Sequence, residues 1–324
     1  MSKSIVECVP NFSEGRDSGV VTEILNTIEA SGGVKILDVD SGHNTNRTVV
    51  TFIGTPEAVE EAAFQAVSTA RKLIDMRKHR GEHPRIGATD VLPFVPVANV
   101  SMADCVDIAR RVGARIGKNL EIPVYLYDQA ASSPERSNLA VVRSGEYEGL
   151  EDKLEDPLWK PDFGPTLHNS SAGATCVGAR EFLIAYNINL NNADRRYAND
   201  IAYALRERGR WKRTGNTDPF YYKGDVVYFT QNGEFPCGPC DFVGGSFDEL
   251  KQHYSEEHQG NLSTRFRNLS IDPVNPMGPV FDDGQFKEVK AIGWVIDEYN
   301  RAQISINLTN YKISSAHEVL EAAR

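Results

Sequence analysis

The sequence predicts an α/β protein, in which strands and helices alternate along the chain. Three observations indicate this class. The first half carries predicted elements in the order β-α-β-β-α-β-α-β, and the first six follow the order of the split βαβ, ferredoxin-like arrangement. Elements in a similar order recur near the end of the chain. A segment of about 75 residues without this periodicity interrupts the second group. With 324 residues, the chain can form one large domain or two smaller ones.

Each element of the first half is predicted from apolar periodicity and from the residues that start or stop it. Pro10 ends a β-branched strand, Gly32-Gly33 stops a helix, and Thr55-Pro56 caps and opens the next helix. The predicted elements are, in order, a strand over 4–9, a helix over 17–30, strands over 34–39 and 48–53, a helix over 55–76, a strand over 89–97, a helix over 102–120 and a strand over 123–127.

The second half repeats the order β-α-β-β-α. Its predicted elements are a strand over 181–190, a helix over 192–208, strands over 288–297 and 302–308, and a helix over 314–323. We therefore predict two α/β subdomains, 1–177 and 178–324, the second interrupted by an insertion over 211–287. Two similar lobes facing each other would form a cleft between them, where ligand sites tend to lie.

Composition excludes several classes of protein. The chain has 35 Lys and Arg against 45 Asp and Glu, a formal charge of −10, which argues against a nucleic-acid partner. It has no apolar run of membrane-spanning length and no apolar signal core, so we expect a cytoplasmic protein without a membrane partner. Cys8, Cys105 and Cys176 stand singly among apolar residues, as expected for buried, reduced thiols.

A charged loop over 77–88 contains a candidate catalytic residue, His83, followed by Pro84. Histidine carries protons at neutral pH, and proline restricts the backbone before it to extended conformations. From the chemistry alone, a surface histidine in a charged loop is the favoured interpretation. The loop over 40–47 offers Asp40 and Arg47, and arginine is well suited to bind planar carboxylates. The alternative for this second loop is a polar turn.

The insertion contains a candidate metal site. Cys237, Cys240, His253 and His258 have the spacing C-x2-C-x12-H-x4-H, within the range of a C2H2 zinc finger. A helix predicted over 246–258 would direct both histidines toward the metal. The apolar position expected between Cys240 and Leu250 is Gly244, so Phe242 or Phe247 is expected to fill it. We predict a structural Zn²⁺.

Several segments resemble glutamate formimidoyltransferase, the folate-dependent enzyme of histidine breakdown. They are CVPNFSEG (8–15), DVDSGHNTNRTV (38–49), GEHPRIGATDVLPFVPV (81–97), PVYLYDQAA (123–131), RSGEYEGL (143–150), KPDFGP (160–165) and GAREFLIAYNINL (178–190). The resemblance implies two ferredoxin-like subdomains with a tunnel between them. It also implies transfer of a formimino group from N-formimino-L-glutamate to tetrahydrofolate, as co-substrate, giving 5-formiminotetrahydrofolate and L-glutamate.

The resemblance also implies roles for residues. The family's catalytic histidine corresponds to His83, which overturns the surface interpretation, and a proton shuttle at this position suits the reaction. We expect Asp40 to support His83, and Arg47 or Arg85 to bind a substrate carboxylate. Asn11 is expected in the substrate site. The folate-contacting stretch of the family corresponds to 164–173, which implies contacts from Gly164, Pro165, Thr166 and Gly173.

Two other functions stay open at this point. One is formyl transfer from N-formylglutamate on the same scaffold, and the other is a regulatory or binding protein that acts through the zinc finger. The predicted helix of the finger is acidic, which disfavours DNA binding. We further expect a homodimer, and a separate cyclodeaminase acting downstream.

Overall fold

The computed structural model describes residues 3–215, 224–229, 233–269, 271–274, 276–296 and 299–324. The chain divides into two compact units, Met1–Glu181 and Phe182–Arg324. Both contain strands and helices, which confirms the predicted α/β class with two subdomains. No helix among the described residues is long and apolar enough to cross a bilayer.

The first unit is built on one mixed sheet with helices. Its strands are β1 (Ile5–Cys8), β2 (Asn11–Phe12), β3 (Val34–Gly42), β4 (Arg47–Gly54), β5 (Thr89–Ala98), β6 (Val124–Asp128) and β7 (Thr175–Ala179). Its helices are α1 (Ser18–Ala30), α2 (Pro56–Leu73), α3 (Met102–Leu120), α4 (Leu139–Val142) and α5 (Leu150–Glu155).

The sheet of this unit confirms the ferredoxin-like order. Strand β3 pairs with β4, and β4 pairs with β1 and β2, which both pair with β5, all antiparallel. Strands β7 and β6 extend this sheet in parallel beyond β5. The predicted first strand, over 4–9, is β1, whereas β2 after Pro10 and β7 were not predicted. Because β7 is only five residues long and contains a glycine, its sequence carries little strand signal.

Helix starts follow their capping residues. The side chain of Asp17 accepts hydrogen bonds from the first turn of α1, Thr55 caps α2, and Ser101 forms a capping box with Asp104 at α3. The prediction was wrong at the end of α2, which stops at Leu73 rather than Met76. Residue Ile74 is extended, and this turns the chain so that Met76 is fully buried in the core and donates its N–H to Ser171 O.

The core of the first unit has two apolar clusters. The larger one contains buried residues from α1, α2, α3 and the sheet. The smaller one joins Val91, Tyr125 and Cys176 of the sheet to Val142 and Leu150 of α4 and α5. Cys8, Cys105 and Cys176 are buried free thiols, as predicted.

The second unit contains the remaining elements. Its strands are β8 (Ile184–Asn189), β9 (Arg210–Trp211), β10 (Arg213–Thr214), β11 (Asp225–Val226), β12 (Tyr228–Phe229), β13 (Phe235–Pro236), β14 (Val243–Gly244), β15 (Gly278–Pro279), β16 (Phe281–Asp282), β17 (Val289–Ile296) and β18 (Arg301–Leu308). Its helices are α6 (Arg195–Leu205), α7 (Phe247–Glu257), α8 (Leu262–Asn268) and α9 (Ala316–Ala323).

The sheet of the second unit has the strand order β17-β18-β8, all antiparallel. This order corresponds to β3-β4-β1 in the first unit, so the internal repeat read from the sequence is a repeat of topology. Helix α6 is shorter than predicted because Asp194 caps it, and it packs on β17 and β18. The predicted end of β17 at Asp297 and parts of the segment 211–287 lie outside the described residues.

Candidate active site

The loop that carries His83 is held against the loop over 42–47. His79 lies at the centre of this contact and is buried. Its Nε2 lies 2.8 Å from Asn46 O and its Nδ1 lies 3.2 Å from Arg85 Nε. Because a carbonyl only accepts and a guanidinium only donates, Nε2 carries the proton and Nδ1 is the acceptor. Burial lowers the pKa of His79, which keeps this neutral tautomer.

Arg85 is buried and fully occupied by structural partners. Besides His79, it binds Glu148 through two hydrogen bonds of 2.7 and 2.6 Å, and Glu146 at 3.1 Å. These bonds fasten the segment 143–148 to the histidine loop. Arg85 thus holds two loops together.

His83 itself is half-buried and has one tautomer available for chemistry. Its Nδ1 lies 2.7 Å from Pro84 O, which can only accept a hydrogen bond, so Nδ1 carries the proton. Nε2 is left with a free lone pair. Burial, and next the positive charges of Arg47 and Arg143, lower the pKa of His83 to about 3. The imidazole is therefore neutral at pH 7.

Arg47, the first residue of β4, supplies one of these positive charges. Its Nε is buried and has no hydrogen-bond acceptor among the described residues. Burial lowers the pKa of Arg47 to about 10, although the carboxylates of Asp90 and Asp40 oppose this effect. Asp40 is exposed on β3, where it pairs with Val49 of β4. The structure thus brings Arg47 within electrostatic range of both His83 and Asp40.

Two charged residues near Arg47, Asp90 and Arg143, were not singled out from the sequence. Asp90, on β5, is 1% exposed, and its Oδ2 lies 2.8 Å from Arg143 Nη2. Its Oδ1 accepts a hydrogen bond of 3.1 Å from the N–H of Ile86. The available signal was the charge of Asp90 inside a strand that is otherwise apolar, since charged residues are rarely buried without a partner.

The end of the stretch 164–173 adjoins the histidine loop. Gly173 has φ +68° and pairs with Gly87, and a Cβ at Gly173 would lie 2.2 Å from Ile86 O. Gly164 also has positive φ, whereas Pro165 is half-buried and Thr166 is exposed. The two glycines therefore set the path of the loop, which only glycine follows without strain.

Asn11 is buried on β2, between β4 and β5. Its side-chain amide donates to Val9 O at 2.7 Å, which stabilises the turn between β1 and β2. This contact is local.

The predicted metal ligands come together in the second unit. The ligand atoms of Cys237, Cys240, His253 and His258 all lie within 4.8 Å of one another. Cys237 Sγ is 3.4 Å from His258 Nε2, and Cys240 Sγ is 3.1 Å from His253 Nε2. Tetrahedral zinc, with bonds of about 2.3 Å to sulfur and 2.0 Å to nitrogen, requires sulfur–nitrogen separations of about 3.5 Å. The donor set and its spacing therefore fit zinc.

The surroundings of this cluster form a small ββα unit. The cysteines lie between the strands of the hairpin β13–β14, and α7, capped by Ser246, carries His253 and is followed directly by His258. Both phenylalanines considered for the missing apolar position pack against the core of the module: Phe242 stacks on His253 with ring centroids 3.9 Å apart, and Phe247 stacks on Phe266. Lys212 Nζ donates hydrogen bonds to the carbonyls of both cysteines.

Comparison with known families agrees with this architecture. The formiminotransferase domain, N-terminal subdomain, matches residues 5–180, and the formiminotransferase domain matches residues 185–324. The chain belongs to the formiminotransferase domain family. This confirms the resemblance seen in the sequence.

Two kinds of enzyme are among the relatives that the chain matches. The glutamate formimidoyltransferase of Thermoplasma acidophilum is 49% identical over 207 residues, which cover 63% of this chain and 68% of the relative. The enzyme of that name from Streptococcus pyogenes serotype M1 is 46% identical over 205 residues, 63% of this chain and 69% of the relative. The formimidoyltransferase-cyclodeaminase of Rattus norvegicus is 41% identical over 320 residues, 99% of this chain. The chain spans only 46% of that protein, about half of its length.

Proposed function

We propose that this protein transfers the formimino group of N-formimino-L-glutamate to tetrahydrofolate, in histidine degradation, with His83 as the general acid and base. The observation that carries the proposal is the neutral imidazole of His83, with Nε2 unprotonated and two arginines nearby. The names of the two glutamate formimidoyltransferases support the same reaction.

The chemistry requires one proton to move twice. A ring nitrogen of the reduced pterin attacks the amidine carbon, and its proton passes to Nε2 of His83. The tetrahedral intermediate then releases the glutamate amine, which receives that proton from His83. General acid–base catalysis of this kind contributes roughly 10²- to 10⁴-fold, and the alignment of two bound substrates would supply the remainder.

Contacts within the site favour Arg47 over Arg85 as a carboxylate-binding residue. Arg85 already has three acceptor residues, whereas the Nε of Arg47 has no acceptor among the described residues. We assign Asp40 to electrostatic support of the site, since it lies near Arg47. For the folate, the exposed face of Pro165 and Thr166 would provide contacts, and Gly164 and Gly173 would provide loop shape.

The test is a direct assay of formimino transfer. Product is converted by acid to the strongly absorbing methenyl form, and absorbance gives the rate. His83→Ala and His83→Gln should lower kcat about 10²-fold or more with little change in KM, while the control His317→Gln, on α9, should leave both unchanged. An unchanged kcat in the His83 variants would overturn the proposal. N-Formylglutamate replaces the donor in a parallel assay, and preference for it would establish the alternative reaction.

We also propose that the cluster in the second unit binds a structural Zn²⁺ through Cys237, Cys240, His253 and His258. The sulfur–nitrogen distances and the hydrogen bonds of Lys212 to both cysteine carbonyls support this site. Protein purified without chelator should contain one zinc per chain by elemental analysis. Less than about half a zinc per chain would contradict the site.

A DNA-reading role for this module has little support. Helix α7 carries Asp248, Glu249, Glu256 and Glu257, and its one lysine, Lys251, lies 2.6 Å from Asp248. Such a surface would repel phosphate.

A cyclodeaminase that consumes the product, as in the names of the longer relatives, belongs to the proposed pathway.

A further inference from the structure

Arg143 is a mostly buried arginine of the first unit whose guanidinium has an N–H group that no described residue uses. It is the residue that follows α4, and its side chain is 14% exposed. One nitrogen pairs with Asp90, whereas its Nε is buried and has no acceptor among the described residues. A buried, unused N–H of a guanidinium is costly.

Arg136 shows what a structural arginine looks like in the same unit. It is buried to a similar degree, and it pairs with Asp162 at 3.0 Å. It also donates to the carbonyls of Leu158 and Lys160, at 3.0 and 2.8 Å. Arg136 therefore donates to three acceptor residues, whereas Arg143 has an ion pair with Asp90.

Arg47, like Arg143, has a buried Nε without an acceptor in the described part of the chain, and the charges of both arginines lower the pKa of His83. They come from distant segments, the start of β4 and the end of α4. Asp90 forms an ion pair with Arg143 and lies within electrostatic range of Arg47, so one buried carboxylate lies near both guanidinium groups.

We propose that Arg143 is a second substrate-binding residue, and that Arg143 and Arg47 each bind one of the two carboxylates of the donor. The inference rests on the proposed function. N-Formimino-L-glutamate has two carboxylates, and arginine binds carboxylates through paired, charge-assisted hydrogen bonds. Asp90, held by the N–H of Ile86, positions Arg143 for this contact. The arginine pair thereby selects a dicarboxylate donor over donors with a single carboxylate.

The same arrangement links donor binding to the base. While no donor is bound, burial and then the charges of Arg47 and Arg143 lower the pKa of His83. Two bound carboxylates would offset the contribution of those two charges and so raise the pKa of His83, while the contribution of burial would remain.

The experiment compares three donors with four proteins. The donors are N-formimino-L-glutamate and its two monoamides, in which either the side-chain or the α-carboxylate is an amide. The proteins are the wild type, Arg143→Met, Arg143→Lys and the control Arg136→Lys. Arg143→Lys retains the charge that compensates Asp90, so it should fold even where Arg143→Met does not. kcat/KM for each donor and KM for tetrahydrofolate are measured.

We expect Arg143→Met to lower kcat/KM for the intact donor by on the order of 100-fold, and Arg143→Lys by on the order of 10-fold. With one of the two monoamides, each variant should lose less than about 3-fold relative to wild type, because the carboxylate that Arg143 binds is already absent. KM for tetrahydrofolate should not change, and Arg136→Lys should show no donor dependence.

Equal losses with all three donors, or no loss with the intact donor, would overturn the role of Arg143 and leave the proposed function standing. A wild-type protein that transfers no formimino group would overturn both.

Discussion

Removing zinc should unfold the module around α7 while the rest of the second unit keeps its structure. The perturbation is either chelation or His253→Ala, which removes one of the four ligands. His317→Ala is the matched control, because His317 also lies on a helix but is not part of the cluster. The prediction separates a metal that holds this segment together from four residues that merely lie close to each other.

The size of the module's core indicates how much stability it loses without zinc. In its described part, the module has a core of only ten buried residues, and two of its strands, β13 and β14, have two residues each. So small a core rarely stabilises a fold alone. A structural zinc ion supplies about 10–16 kcal/mol of apparent binding free energy in zinc-finger peptides, whereas a whole domain has about 5–15 kcal/mol of stability. The binding free energy lost with the ion should therefore exceed the folding stability of the module.

Hydrogen exchange measures this region by region. Amides of α7 (Phe247–Glu257) should be protected in the zinc-loaded protein and exchange at nearly unprotected rates after chelation or in His253→Ala. Amides of α6 (Arg195–Leu205), which pack on the three-stranded sheet, should change little. Equal protection of α7 in protein shown by elemental analysis to be metal-free would refute a structural role for zinc.

Three further outcomes follow from the first unit. In denaturant titrations, Asp90→Asn should lower the free energy of unfolding by about 2–4 kcal/mol, because it removes the acidic partner of Arg143. The control Asp75→Asn, which breaks the more exposed ion pair with Arg77, should leave the free energy of unfolding unchanged. Gly173→Ala should destabilise the protein by about 1–3 kcal/mol, and by more than the control Gly32→Ala. Both glycines have φ near +70°, but a Cβ added at Gly173 would meet Ile86 O, whereas one added at Gly32 would meet nothing within 4 Å. In NMR titrations, the His83 ring of the free protein should stay neutral from pH 8 to pH 5, because burial, Arg47 and Arg143 lower its pKa to about 3. Saturating donor should raise that pKa. A His83 ring that titrates near pH 6.5 in the free protein would contradict the electrostatics described.

Sequence periodicity predicted the fold where elements are long and amphipathic. The bounds of α3 were predicted to the residue, because Ser101 caps it and its apolar spacing continues to Leu120. Short elements escaped prediction for a physical reason. Strand β7 is stable only between β5 and β6, and two-residue strands such as β9 exist only through their partners. Their structure is decided by tertiary contacts, which no local pattern contains.

The candidate site divides in the same way. Arg47 and Asp40 were singled out from a polar segment between two predicted strands, and His83 was assigned through the resemblance to the family; Asp40 and Arg47 in fact lie on β3 and β4. Arg85 was given a substrate role on the sequence, and its pairing with Glu146 and Glu148 could not be foreseen, because those residues are about 60 positions away. Arg143 and Asp90 were missed for the same reason. A buried ion pair is a property of two distant segments, and only the folded chain brings it next to His83.

The tautomers of the two histidines in the loop explain why one is assigned to chemistry and the other is not. His79 uses both ring nitrogens within the protein, so a substrate could reach neither without breaking the contact between the loops. His83 uses only Nδ1, and its partner is the carbonyl of the next residue, Pro84, so the bond costs no distant contact. Proline fixes the backbone on which this short hydrogen bond depends. The motif Glu82-His83-Pro84 therefore specifies more than a residue type, because it also determines which nitrogen of the ring receives the proton.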